Sequence, residues 1–200
     1  MDNPLHPAEV RVLGALIEKE STTPEYYPLT LNALVAACNQ KSNRWPVTEY
    51  DEGEVMTALD GLRARGFAAA ITGGSRVTKY AQRFVEKLNL GRRETAVLCV
   101  LMLRGQQTPG EIKGRAERIY AFSDLDETEI VLHKMIEAGL VQKLAAAPGM
   151  KEARYAHMLG GAAEQPVAEQ RMDRISALEA EVSRLREEVA ELRRRLDELL

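Results

Sequence analysis

Residues 29–66 read LTLNALVAACNQKSNRWPVTEYDEGEVMTALDGLRARG, and the periodicity of this stretch decides the fold. Leu31, Leu34, Val35 and Cys38 stand at i, i+3, i+4 and i+7, on one face of a helix. Thr30 is placed to accept a hydrogen bond from the first free N–H groups of that helix. Asn39 tolerates the left-handed conformation that ends one. Residues 40–46 carry no apolar period, and Pro46 disfavours helix at Trp45. A second helix opens with Asp51, Glu52 and Glu54, acids placed where the positive end of the helix dipole favours them. Val55, Leu59 and Leu62 give its buried stripe, and Gly66 ends it.

Working outward, residues 67–72 predict a short strand. Gly73-Gly74-Ser75 is a turn signal, and residues 76–81 return as the partner strand. Ahead of the stretch, Val10, Leu13 and Ile17 predict a helix over residues 7–20. The order is helix, helix, helix, hairpin. Three short helices cannot bury their stripes alone, and the hairpin covers the open side. This is the winged-helix plan, a helix-turn-helix variant.

The plan returns after residue 90. Glu9, Val12, Leu13 and Leu16 match Glu94, Val97, Leu98 and Leu101, and Thr30 and Leu34 match Thr108 and Ile112. Leu59, Leu62, Gly66 and Phe67 match Leu132, Met135, Gly139 and Leu140. Lys79-Tyr80-Ala81 matches Arg154-Tyr155-Ala156, and the second hairpin turns through residues 146–149. The matches keep chain order, and their offsets of 85, 78, 73 and 75 place the length differences in loops. The fold class expected is mainly α with small β-hairpins (α+β). Two tandem winged helix-turn-helix domains, residues 1–88 and 89–160, precede a linker and coiled-coil helix over residues 161–200. The join, about residues 85–92, is short, so the two domains are expected to pack in a fixed relation.

Composition bounds the function. With 27 basic against 30 acidic residues in 200, no overall basicity points to nucleic acid. Cys38 and Cys99 sit inside apolar helical stripes and read as small core residues, without metal-ligand or disulfide spacing. No run approaches the roughly 18 apolar residues of a membrane span, and no N-terminal signal region is apparent. A reducing cytoplasm is the expected location. His6, His133 and His157 are dispersed, and there is no glycine-rich phosphate loop. Neither a catalytic centre, a metal site nor a cofactor is therefore expected, and the chain reads as a non-enzyme.

Two segments, LTLNALVAACNQKSNR and TPGEIKGRAERIYAFSDLDETEIVLHKMIEAGLV, closely resemble the signature segments of the YceH-like bacterial proteins. The resemblance covers about residues 5–160. It implies a tandem winged-helix protein of bacterial origin and no enzyme activity; the family carries no characterised function to transfer. Trp45 is a departure, standing where the resemblance leads one to expect an acidic residue.

Beyond Gly160-Gly161 and Pro166 the pattern changes. Ile175, Leu178, Val182, Leu185, Val189, Leu192, Leu196 and Leu199 alternate spacings of three and four. Mostly β-branched a positions with leucine at d favour a parallel two-stranded coil. In that register Arg174 faces Glu179, Glu181 faces Arg186 and Glu188 faces Arg193, all opposite in sign. A homodimer is expected; the rival is one amphipathic helix folded back on its own domains or onto another protein.

Double-stranded DNA is the partner the fold suggests, by analogy alone. The usual docking helices open with Asp51-Glu52-Gly53-Glu54 and Asp126-Glu127-Thr128-Glu129, acids that repel phosphate. The better candidates are elsewhere. Lys41 and Arg44 suit phosphates, while Asn39, Gln40 and Asn43 suit base edges, since amides pair bidentately with adenine. Arg76 and Lys79 lie on the first wing, and Lys113, Arg115 and Arg118 on the second helix of the second domain. Taken singly, the amides also serve loop structure and the cations a solvated surface. The expected role is a DNA-binding regulatory protein dimerised by its tail. The alternative is a protein–protein interaction adaptor, which acidic third helices fit equally well.

Overall fold

In residues 7–22, Pro7 opens the first helix and His6 caps it. The His6 ring accepts from Ala8 N–H while Glu9 returns a carboxylate to His6 N–H at 2.7 Å. The computed structural model describes residues 3–72, 77–145 and 152–161, and all of them fall in one compact unit. Helix α1 (Pro7–Thr22) is followed by a 3-10 turn (Pro24–Tyr26), strand β1 (Leu29–Thr30), α2 (Leu31–Cys38) and α3 (Glu52–Ala64). Strands β2 (Ala68–Ile71) and β3 (Lys79–Gln82) form the first hairpin, and α4 (Phe84–Lys87) leads on to α5 (Arg92–Arg104). Then come α6 (Pro109–Ala116), α7 (Leu125–Glu137), β4 (Val141–Leu144) and β5 (Arg154–His157). The class is mixed helix with small antiparallel sheets.

The boundaries have local causes. Thr30 Oγ1 accepts from Ala33 N–H at 3.3 Å and starts α2. Asp51 and Glu54 exchange hydrogen bonds with each other's backbone N–H at 2.8 and 2.9 Å, closing a capping box at α3. Helix α7 opens earlier than the sequence suggests. Asp124 is its cap, accepting from Glu127 N–H at 2.7 Å, so the acids at 126 and 127 lie inside the first turn.

Several single hydrogen bonds correspond between the two halves. Gly66 and Gly139 both end their helices at φ +68°, a region glycine enters without a Cβ clash. Phe67 N–H donates to Leu62 O, and Leu140 N–H to Met135 O. Arg83 N–H donates to Phe67 O, and Met158 N–H to Leu140 O. Leu29 pairs with Tyr80 across β1 and β3, and the isolated bridge Gln107–Tyr155 holds the matching place in the second half. The first sheet therefore has three strands in the order β1-β3-β2, the second two. Strand β1 and helix α4 are additions to the sequence reading. The hairpin turns at 73–76 and 146–149 lie outside the described residues, as does the heptad tail.

The two halves share one apolar interior. Every residue of α1 from Ala8 to Ile17 is buried, and so is every residue of α5 from Thr95 to Leu103. A helix buried on all sides needs partners on all sides. Helix α1 packs on α2 and α3 of its own half and on α5 of the other. The approach is closest at Gly14, where an added Cβ would lie 3.0 Å from Leu103 Cδ2 and 3.2 Å from Met102 Cβ. Each fully buried leucine here, such as Leu13, Leu16, Leu98 or Leu101, contributes about 1.5–3 kcal/mol of transfer free energy.

Candidate functional site

The segment between α2 and α3 links the two halves. Trp45 N–H donates to Leu103 O of α5 at 2.8 Å. Arg104 at the end of α5 hydrogen-bonds the Asn43 side-chain oxygen. From beneath, Arg11 of α1 donates to Cys38 O at 3.0 Å, Thr48 Oγ1 at 3.1 Å and Pro46 O at 2.5 Å. Asn43 holds φ +61°, a conformation asparagine tolerates better than most residues.

This architecture reassigns part of the amide and cation cluster. Arg44 points inward, with no side-chain surface exposed. Its guanidinium donates to Ala37 O, to Asn43 O, to Gln40 Oε1 and to both carboxylate oxygens of Glu18, at 3.0 and 2.5 Å. A phosphate contact by Arg44 is therefore corrected to a structural role: every direction its fork can reach already holds an acceptor. Asn39 is likewise engaged, its amide donating to Tyr50 O and accepting from Tyr50 N–H at 2.7 and 2.9 Å. Gln40 faces Arg44.

Lys41 is exposed, and around it the structure brings distant parts of the chain together. A cleft of about 710 Å³ runs between the halves, lined by the end of α1, residues 40–43, α5 and the end of α6 with the turn beyond it. Lys19, Lys41, Arg104, Arg115 and Arg118 line it, against Glu18 and Glu117. Glu18 is already paired with Arg44 at 2.5 Å and with Lys19 at 3.7 Å. Arg115 pairs with Glu111 at 3.5 Å. Crowding of like charge registers on Arg104, whose pKa is lowered first by burial and then by Arg115. The floor reaches Cys99, whose thiol burial raises well above its ordinary pKa. Cys38, equally enclosed, is pushed up to about 12. Buried neutral thiols of this kind are poor nucleophiles.

Gln40, Lys41, Asn43, Arg115 and Arg118 thus converge on one cleft. Arg118 lies in the turn just past α6 rather than on it. Lys79, on β3, and Lys113 do not line the cleft, and Arg76 lies outside the described residues. Lys19 and Arg104 were not legible as members, because each ends a helix whose partner across the cleft is far away in sequence.

The acidic helix starts are occupied locally. Glu127 accepts from Ser123 N–H at 2.9 Å and Tyr120 OH at 2.8 Å and pairs with Arg93 at 2.8 Å. The Ser123 N–H, then the Tyr120 hydroxyl, hold its carboxyl below the usual range. Leu125 and Ile130 on the same helix are exposed. Among the described residues no group of three or more His, Cys, Asp or Glu could hold a metal ion. No described helix is long and apolar enough to cross a membrane.

A second hollow, of about 320 Å³, opens beside the first on the other side of the linking segment. It is lined mainly by apolar groups, with Arg11 and His157 among them.

Residues 5–150 match a family described as "Protein of unknown function, DUF480". The UPF0502 protein of Solibacter usitatus is 55% identical over 200 residues, covering 99% of this chain and 97% of that protein. The UPF0502 protein of Pelobacter propionicus is 53% identical over 214 residues, with 99% and 97% covered. The UPF0502 protein YceH of Escherichia fergusonii is 46% identical over 202 residues, with 96% and 94% covered. With most of both chains aligned at this identity, the chain belongs to the DUF480 (UPF0502) family of bacterial proteins.

Proposed function

We propose that this is a DNA-binding regulatory protein built from two tandem winged-helix domains, residues 1–88 and 89–160, with a tail that dimerises through the heptad seam from Ile175 to Leu199. The observation that carries the reading is the cleft. Among the described residues five cations from four separate parts of the chain face it against two carboxylates, one of them already neutralised. Phosphate contacts supply most of the affinity for DNA and make it salt-dependent. Lys41, Arg115 and Arg118 are the phosphate contacts in this reading, with Asn43 and Gln40 beside them. The starts of α3 and α7 stay away from the duplex because their acids repel it.

The test is fluorescence anisotropy of the full chain with mixed-sequence duplex fragments across a salt series. Affinity is expected to fall steeply with salt. Lys41→Ala and Arg118→Ala are each expected to reduce the log–log slope by about 1 without changing the melting temperature. Absence of binding at low salt, or slopes unchanged in both variants, overturns the reading. One observation favours an adaptor instead: Leu125 and Ile130 lie exposed on α7 among acids. A protein partner lost on Ile130→Asp, in a chain that does not bind DNA, would decide for it.

A further inference from the structure

We propose that the second hollow is a binding site for a small carboxylate with a cyclic apolar body, of the size of benzoate or phenylacetate. At about 320 Å³ it lies at the small end of ligand pockets, roughly 300–1,000 Å³. Trp45 and Pro46 form one wall, Leu5 and Val10 another, and Leu101 and Met102 lie on the α5 side. Glycines 105, 160 and 161 line it without side chains, so the backbone itself bounds the space.

The charge sets the ligand class. Among the described residues Arg11 is the sole ionised group lining the pocket, and no Asp or Glu lines it. Arg11 is only 4% exposed, yet all its acceptors among the described residues are neutral: two carbonyls and one hydroxyl. Its Nε–H has no acceptor among the described residues. A buried cation without a counter-charge is costly, and burial, then Arg44, lower the guanidinium pKa. His157, also lining the pocket, leaves its enclosed Nδ1 without a partner among the described residues. A carboxylate supplies one negative charge to Arg11, and its ring lies against Trp45. Phosphate does not suit the site, since two charges and several oxygens would meet too few donors.

The reading concerns ligand binding alone and stands whether or not the chain binds DNA. Trp45 is the only tryptophan, so its emission reports on the pocket directly. The experiment titrates the full chain with benzoate, phenylacetate and cyclohexanecarboxylate, followed by Trp45 emission and by calorimetry. Benzamide and inorganic phosphate serve as controls. Saturable binding of at least one acid is expected, about tenfold or more tighter than benzamide, the step an unmatched buried charge supplies.

Two variants localise it. Gly160→Leu places a side chain at the pocket, since its Cβ would lie 3.4 Å from Leu5 O, 3.9 Å from His157 Cε1 and 4.0 Å from Val10 Cγ2. It is expected to abolish binding while the chain stays folded. Arg11→Gln is expected to erase the preference for benzoate over benzamide. Because Arg11 also anchors the linking segment, Gly160→Leu keeps the test decisive if that variant does not fold. No saturable binding of any of the three acids, equal affinity for benzoate and benzamide, or an unchanged affinity in Gly160→Leu overturns the proposal.

Discussion

The backbone N–H of Trp45 donates to the carbonyl of Leu103 at 2.8 Å, so the loop between α2 and α3 of the first half is tied to the end of α5 in the second. That bond also closes an orphan carbonyl at a helix C-terminus. The consequence is that the asparagine-rich segment faces in two directions. Its inward groups hold the halves together, and its outward groups line the cleft.

Arg44 separates these roles. Its replacement by Ala strips acceptors in Ala37, Asn43 and Gln40 and leaves Glu18 without its closest cation. The expected loss is about 3 kcal/mol, the low end for breaking a buried pair, because Glu18 keeps some contact with water. Arg44→Lys should recover little of it, since one ammonium cannot serve acceptors arranged for a planar fork. Urea denaturation measures both. An Arg44→Ala chain as stable as the parent would mean that Arg44 is not the anchor its contacts describe.

Gly14 tests the seam between the halves. Valine there places its Cβ 3.0 Å from Leu103 Cδ2 and 3.1 Å from Leu103 Cγ, inside ordinary contact. Overpacking of this kind costs about 1–3 kcal/mol. Cys99 donates its S–H to Gly14 O at 3.7 Å, so it reads the same seam. In the parent chain Cys99 is expected to resist thiol reagents until the protein unfolds. In Gly14→Val it should react faster under native conditions, while Cys38 stays protected within the first half. Equal protection of both thiols in the variant would show that the seam absorbs the extra volume.

His157 gives a pH dependence of known sign. Burial pushes its imidazole pKa from 6.5 down to about 4 in the folded chain. Between those values the unfolded chain binds the proton and the folded chain does not. Stability is therefore whole above the unfolded value and is lost as pH falls through the window toward the folded one. The difference amounts to about 3 kcal/mol in total. His157→Gln removes the titration, so the stability gap between parent and variant should shrink as pH is lowered from about 7 to about 4.5. Chemical denaturation at the two pH values checks this, and a gap independent of pH refutes it.

Much of the local structure was written in short-range chemistry. Thr30, Asp51, Thr108, Gly66 and Gly139 act within a few residues of themselves, and each stands where its cap or turn requires. The start of α7 was misread because two runs of acids looked alike, and only Asp124 has the extended backbone and free carboxylate that accept from Glu127 N–H. The apolar run 96–103, AVLCVLML, was the overlooked signal. A helix apolar on every side must be enclosed on every side, and it pointed to the shared core.

The candidate site was half legible. Lys41, Arg115 and Arg118 stood out as cations. Nothing in their spacing said that they would meet, or that Arg44 between them would turn inward to Glu18, 26 residues earlier. The sequence by itself determined most of the helix caps and turns, because capping, periodicity and turn chemistry are local. The tertiary structure alone decided which faces α1 and α5 bury against each other, which polar groups of the linking segment become anchors, and that Arg11 is enclosed without a carboxylate among the described residues. Those outcomes depend on the packing of segments far apart in the chain, and burial sets the energy of a charge only once its neighbours are in place.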